Sequence, residues 1–302
     1  MKSDVSILIP SQGPSRFLSE TLESILMSST QPDEILIIDD GMTTEAKASI
    51  EKFLSLMPMQ IQKSHGKGLV DALNTGLEVA KSNYICRIDN DDLMVENRIE
   101  IQLAHLAANE DVVAVGSQCV YINEKSLITG TSSYPAGLIN EESQFRTKCL
   151  IAHPSTMYLK DAALSIGGYR SIFRWNGIDI AEDFDFWLRL SRVGRIEIID
   201  EFLTKYRQHN SQLSSSSAHG VLIGTPYVSA VNMEMKILPQ KIEFWNSRSK
   251  DELILLQTIQ RNLGRKMCLA TYLMIISSRR RSIWKIRYFQ QLLLKIISSL
   301  SN

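Results

Sequence analysis

The sequence predicts an α/β fold, a mainly parallel sheet flanked by helices, with a helical extension at the C-terminal end. Three observations carry this. Over the first ninety residues, short β-branched apolar runs alternate with stretches whose apolar residues recur at helical spacing. The runs are apolar throughout rather than every second residue, as strands buried on both faces are. Polar clusters follow the runs at Pro10-Ser11, Asp39-Asp40 and Asp89 to Asp92, where parallel sheets bind their ligands.

Taken in order, residues 5–9 (VSILI) read as a buried strand and Pro10 to Ser15 as a loop. Residues 17–27 carry Phe17, Leu18, Leu22, Ile25 and Leu26 on one helical face. Residues 34–38 (EILII) form a second strand, ended by a turn at Asp39-Asp40-Gly41. A helix over 44–56, a strand over 59–63, a helix over 66–80 and a strand over 84–88 follow. Further on, 98–108 reads as a helix, 112–116 and 120–127 as strands, 154–159 as a strand and 183–193 as a helix. Residues 196–199 and 203–207 read as two short strands, and 130–151 supports no assignment. The serine run at 214–217 is a polar boundary, dividing a catalytic domain, 1–213, from an extension, 214–302.

Composition removes several classes. Hydrophobic residues at 44% and charged residues at 22% exclude a disordered chain. The four cysteines are far apart and lack C-x-x-C spacing, against a zinc ribbon or disulfide scaffold and in keeping with a reducing compartment. No signal-peptide pattern precedes the first strand, so a cytoplasmic protein is expected. No apolar run approaches the roughly 20 residues of a membrane span.

Four places could carry chemistry. Asp89, Asp91 and Asp92 crowd like charges at a strand end, costly unless a cation or hydrogen-bond donors offset it. They suit a hard divalent ion with substrate phosphates, or an Asx-rich turn with Asp92 capping the next helix. Asp39-Asp40 suits a ribose or base contact, or a plain turn. Glu182-Asp183 opens an aromatic helix as either a dipole-favoured cap or a general base. His209 is a metal or phosphate contact, or structural. His153 reads as a turn residue and Trp187 as packing, while Trp175 lies in a loop where a sugar could stack. A dinucleotide fingerprint and a P-loop are both absent.

Together the strings VSILIP, EILIIDDG, GLVDALNTGLEVAKSNYICRIDNDD, HPSTMYL, GGYR, AEDFDFWLRL and YRQH resemble the family 2 glycosyltransferases of GT-A fold, across about residues 3–213. Within that family the chain is most similar to bacterial enzymes that build exopolysaccharide, capsule or O-antigen. The resemblance implies an inverting transfer from a nucleoside-diphosphate sugar, a UDP-sugar first, to an acceptor such as a lipid-linked saccharide. It implies that Pro10, Ser11, Asp40, Lys67 and Asp89 meet the nucleotide. It implies that Asp91, Asp92 and His209 hold Mn²⁺ or Mg²⁺, and that Asp183 with Glu182 supplies the base. Two positions depart from the family pattern: Gln12-Gly13 stands in place of Tyr-Asn, and Met42 in place of Ser. The competing readings are a catalytically inactive nucleotide-sugar-binding protein of a polysaccharide assembly complex and a nucleotidyltransferase. The second expects a Gly-rich basic loop after the first strand, which is lacking.

Charge separates the chain in two. Nine of the 33 basic residues and none of the 33 acidic ones lie between Leu253 and Asn302. The tail is thus +9 and the preceding 252 residues −9. Apolar positions at helical spacing over 284–300, behind Arg279-Arg280-Arg281, suit either an amphipathic helix on an anionic membrane or a helical pair packed on protein. The expected location is therefore cytoplasmic and peripheral on the inner face of the cell membrane, with residues 279–300 as the contact. The stretch is too apolar for a nucleic-acid patch.

Overall fold

A computed structural model describes residues 3–139, 149–175 and 178–209, together with the single positions Gln212, Val228 and Asn232. All belong to one compact unit, Met1–Ile237. The basic tail and the rest of the 214–302 extension lie outside the described residues.

The strands are β1 (Val5–Gly13), β2 (Glu34–Met42), β3 (Met59–Lys63), β4 (Tyr84–Arg87), β5 (Leu93–Met94) and β6 (Val112–Ile122). They continue as β7 (Ile128–Thr131), β8 (Gly137–Leu138), β9 (Met157–Leu159), β10 (Arg174–Trp175), β11 (Ile178–Asp179) and β12 (Arg195–Arg207). The helices are α1 (Leu18–Leu26), α2 (Thr44–Ile50), α3 (Leu69–Val79), α4 (Arg98–Ala108), α5 (Lys160–Ser165) and α6 (Glu182–Leu190).

One sheet runs in the order β3-β2-β1-β4-β9-β6-β12-β5, with β7 on β6 and β8 on β12. Neighbours among β3, β2, β1 and β4 are parallel, as are β6 and β12. The reversed strand β9 joins the two parallel sets. β10 and β11 form a separate antiparallel pair. Ile7, Ile9, Ile35 and Ile37 are fully buried against Leu18, Leu22 and Ile25 of α1. Burying each of these side chains contributes about 1.5–3 kcal/mol.

Several boundaries differ from the sequence reading, each for a tertiary reason. The turn expected at Asp39-Asp40-Gly41 is strand instead. β1 continues past Pro10, Ser11 pairs with Asp39, and a register shift lets Gly13 pair with Met42. Gly41 absorbs the irregularity at φ 95°. The two strands expected over 112–127 are one strand to Ile122, and those over 196–207 are one strand with bulges near Phe202. The helix expected over 44–56 stops at Ile50 and continues as a 3-10 turn, Glu51–Ser55. The segment 154–159 begins as a 3-10 turn at His153–Ser155 and becomes strand only at Met157.

Arg98 of α4 locks the site end of the sheet. It is fully buried. Its Nη2 donates to the carbonyls of Arg87 (2.8 Å) and Thr156 (3.0 Å), and its Nη1 to the carbonyl of Pro154 (2.8 Å). These bonds fix the last residue of β4, from which the acidic loop departs.

Candidate active site

The acidic loop is held from several directions. Arg87, 2% exposed, donates twice to Asp89, Nη1 to Oδ2 at 2.7 Å and Nη2 to Oδ1 at 2.5 Å. The amide of Asn90 donates to Ser11 Oγ (3.1 Å) and Ser15 Oγ (3.0 Å), which are 2.7 Å apart. The end of β1 with the residues just after it and the loop after β4 are thereby tied together, and Pro10 of β1 is buried. Asp91 Oδ2 lies 2.8 Å from His209 Nε2. Asp92 is fully buried; its Oδ1 accepts the Arg207 N–H at 2.7 Å and its carbonyl accepts Thr21 Oγ1 at 2.8 Å. Its Oδ2 is buried without a hydrogen-bond partner. Burial, then the charges of Asp91 and Asp89, pushes the Asp92 carboxyl well above the usual range.

One carboxylate oxygen from each of Asp89, Asp91 and Asp92 lies within 4.8 Å of the others. Hard oxygen donors beside an imidazole, with one buried oxygen unpartnered, fit a divalent cation.

Asp40 and the start of α3 meet next to this. Gly68, at φ 99°, caps α3, and its N–H donates to Asp40 Oδ2 at 2.9 Å. Burial raises the Asp40 carboxyl, and this bond works against the rise. Lys67 is exposed; its N–H donates to Asp71 Oδ2 at 2.9 Å. The β10–β11 pair also approaches here: a Cβ at Gly68 would lie 3.1 Å from Asp179 Oδ2.

Glu182 and Asp183 form the first turn of α6, reached through Ala181 in the left-handed region at φ 59°. A non-glycine residue there costs on the order of 1 kcal/mol, and the sequence gives no sign of it. Asp183 Oδ1 accepts the Phe184 N–H at 2.7 Å, and Cys149 Sγ lies 3.7 Å from Oδ2. Burial, followed by the charge on Asp183, pushes Glu182 up to about 8. Burial also raises Asp183, while the Phe184 N–H and Arg87 hold it down. Both carboxyls of the pair are therefore harder to ionise than in water.

The opposite side of α6 is anchored. Asp185, fully buried, accepts from Arg170 (2.6 and 3.1 Å), Arg189 (2.8 Å) and the amide of Asn232 (2.9 Å). Asn74 of α3 grips the Tyr169 backbone, accepting its N–H (2.8 Å) and donating to its carbonyl (2.9 Å). The Tyr169 ring stacks on Phe186 at 4.1 Å. His153 and Trp187 are buried, and His153 Nε2 lies 2.8 Å from Tyr169 Oη. The Trp175 side chain lies outside the described residues.

Asp89, Asp91, Asp92, His209 and Ser11 thus form one connected group, and Asp40 joins α3 through Gly68. Lys67 precedes Gly68 with an exposed side chain, and its charge favours the ionised Asp40 carboxyl. Arg87, Asn90, Asn74 and Arg207 were not singled out from the sequence. Arg87 had a visible signal, a lone cation inside an apolar strand (YICRI). A cavity of about 420 Å³ adjoins His209, lined by Asn123, Glu124, Lys125, Leu127 and Gln208.

Known proteins resemble this chain in sequence and in fold. An uncharacterized glycosyltransferase of Haemophilus influenzae is 28% identical over 224 residues, covering 71% of this chain and 68% of the relative. The amylovoran biosynthesis glycosyltransferase AmsE of Erwinia amylovora is 29% identical, covering 63% of this chain and 70% of its own length. The O-antigen biosynthesis glycosyltransferase WbnJ of Escherichia coli is 27% identical, covering 70% and 83%. Among solved structures, S. aureus TarS 1-349 in complex with UDP-GlcNAc superposes with a TM-score of 0.59 at 16% identity, covering 86% of this chain and 72% of that one. That likeness is one of fold, and the fold is GT-A. Residues 6–167 match the sequence profile of Glycosyl transferase family 2, more than half of the 302 residues, and the chain belongs to that family.

Proposed function

We propose that this chain is an inverting glycosyltransferase that moves a sugar from a nucleoside-diphosphate sugar to an acceptor hydroxyl. The donor is a UDP-sugar, and the acceptor is a lipid-linked saccharide of bacterial surface polysaccharide synthesis. The observation that carries this is the separation of the acids into two sets with different partners. Asp91 is paired with His209 at 2.8 Å, while Asp183 opens α6 beside a Glu182 pushed up to about 8. Names of relatives agree in class. One E. coli relative, 28% identical, is a UDP-Gal:alpha-D-GlcNAc-diphosphoundecaprenol beta-1,3-galactosyltransferase.

In this reading Pro10, Ser11, Asp40, Lys67 and Asp89 line the nucleotide. Asp91, Asp92 and His209 would hold the divalent ion, Mn²⁺ or Mg²⁺. Bound there, the ion supplies Lewis-acid charge neutralisation for the departing diphosphate. Asp183 takes the proton of the acceptor hydroxyl as its oxygen attacks the anomeric carbon from the face opposite the leaving group. Neutral Glu182 adds no second negative charge against the attacking oxygen. One displacement inverts the anomer without a covalent sugar–enzyme intermediate. Among the described residues no helix is long and apolar enough to cross a membrane. The basic stretch 279–300 is proposed to hold the enzyme on the inner membrane face, where a lipid-linked acceptor lies.

The test is transfer from a panel of UDP-sugars to lipid-linked acceptors, with the product anomer read by proton NMR. An inverted anomer, lost in Asp183→Asn and Asp91→Ala, is expected. Near-normal turnover in both variants would overturn the assignment.

A further inference from the structure

We propose that Arg207 is the positioning residue of the Asp91–His209 pair, a buried guanidinium that sets both side chains at once. This rests on the reading of that pair as cation-holding.

Arg207 is the last residue of β12 and is fully buried. A guanidinium taken out of water is costly unless its charge is offset and its donors are used. Here Glu20 of α1 supplies the charge, accepting from Nη2 at 2.8 Å. The Nε–H donates to the carbonyl of Asp91 at 2.7 Å, and the main-chain N–H to Asp92 Oδ1 at 2.7 Å. Nη1 donates to Ser126 Oγ at 3.0 Å and to the carbonyl of Asn123 at 3.3 Å. One side chain therefore joins α1, the acidic loop, the β6–β7 turn and the end of β12.

The same group reaches His209 by a second route. Its Cζ sits 4.2 Å over the Phe17 ring, and the centroid of the His209 ring lies 5.4 Å from the centroid of that same Phe17 ring. Phe17 is thus shared by the guanidinium and the imidazole. The Asp91 backbone is fixed by a hydrogen bond and the His209 ring by packing, both referred to one planar cation.

Arg98 provides the contrast. It is equally buried, yet its acceptors are Gln102, Thr204 and the carbonyls of Arg87, Pro154 and Thr156. It touches neither Asp91 nor the ring that packs on His209. A lysine at 207 would place three donors on one point and could not reach these four directions.

The experiment is Mn²⁺ titration of the full-length protein without donor, read by calorimetry well below the unfolding temperature. Wild type, Asp91→Asn, Arg207→Lys and Phe17→Leu are compared. Asp91→Asn is expected to abolish the binding. Arg207→Lys is expected to weaken it by about ten- to a hundredfold while remaining folded by circular dichroism. Wild-type affinity in Arg207→Lys, with binding lost in Asp91→Asn, would overturn the positioning role and leave the cation site standing. Wild-type affinity in Asp91→Asn would remove the cation site and this proposal with it. If Arg207→Lys does not fold, Phe17→Leu decides. It keeps every hydrogen bond of Arg207 and removes the shared ring, so weakened Mn²⁺ binding is expected and unchanged binding overturns the proposal.

Discussion

Replacing Glu182 by Gln removes a proton that the folded protein keeps and the unfolded chain releases. Burial, then the Asp183 charge, carries this carboxyl from its ordinary 4.5 up to about 8. Between those values the native state binds more protons than the unfolded state, so stability falls as pH rises. The slope is at most about 1.4 kcal/mol per pH unit for one proton. The contribution is complete below the unfolded value and is lost as pH passes through about 8. From pH 5 to 7.5 the wild type should lose up to about 3 kcal/mol relative to Glu182→Gln, whose amide is neutral throughout. Guanidinium unfolding of both proteins across that range, in EDTA, measures the difference directly. Parallel stability profiles would refute the reasoning. Kinetics give an independent check. Gln mimics a protonated Glu, so Glu182→Gln should keep turnover within several-fold at pH 7. Asp183→Asn should lose about 10²–10⁴-fold as a missing general base. Equal losses in the two variants would refute the division into a neutral and an ionised partner.

Two further predictions concern the scaffold. Asp185→Asn leaves Arg189 buried and Arg170 half-buried without their shared carboxylate; a loss of about 3 kcal/mol is expected in denaturant unfolding, and a change under 1 kcal/mol would count against it. A Cβ at Gly76 would lie 2.0 Å from Leu8 Cδ1, so Gly76→Ala should cost about 1–3 kcal/mol by overpacking. Adding Leu8→Val should recover part of that loss in the same assay, and a purely additive double variant would show that the contact is not its source.

The parallel half of the fold was legible because strands buried on both faces carry few polar residues before they leave the core, and the ones they carry here, Ser6, Glu34 and Arg87, are buried with hydrogen-bond partners. VSILI, EILII and YICRI stand out for that reason, and the polar residues after them mark the carboxyl edge. The longer strands were less visible because polar residues inside them have distant partners. β6 contains Ser117 and Gln118 without breaking, since the Gln118 amide donates to the Tyr134 carbonyl at 2.8 Å and its Oε1 accepts from Ser132 Oγ at 2.6 Å. β12 passes through Asp200-Glu201, where the sequence reads as a break, by bulging rather than turning. In both cases a local polar signal was outweighed by tertiary hydrogen bonds that no window of sequence contains.

The same physics explains why the acids of the site were legible and its cations were not. Carboxylates that share a site must be near one another in space, and a single loop achieves this with four consecutive residues, so Asp89 to Asp92 announce themselves. The groups that make such crowding tolerable need only converge in three dimensions. Arg87 comes from the strand before the loop, whereas Arg207 reaches the Asp91 carbonyl from 116 positions away. Arg98 then holds the Arg87 carbonyl from α4. Each of these guanidiniums is nearly or fully buried, which is costly in isolation; Arg98 and Arg207 offset it through their hydrogen bonds, and Arg87 through its two bonds to Asp89, although its Nε has no partner. In the sequence Arg98 and Arg207 resemble surface cations, and Arg87 alone of the three stands out, inside an apolar strand. The burial of Arg98 and Arg207, rather than their charge, separates them from the rest, and burial follows from the order in which β4, β9, β6 and β12 lie side by side. A reading of the acidic loop alone therefore finds the crowded carboxylates, but leaves out the arginines that fix their geometry.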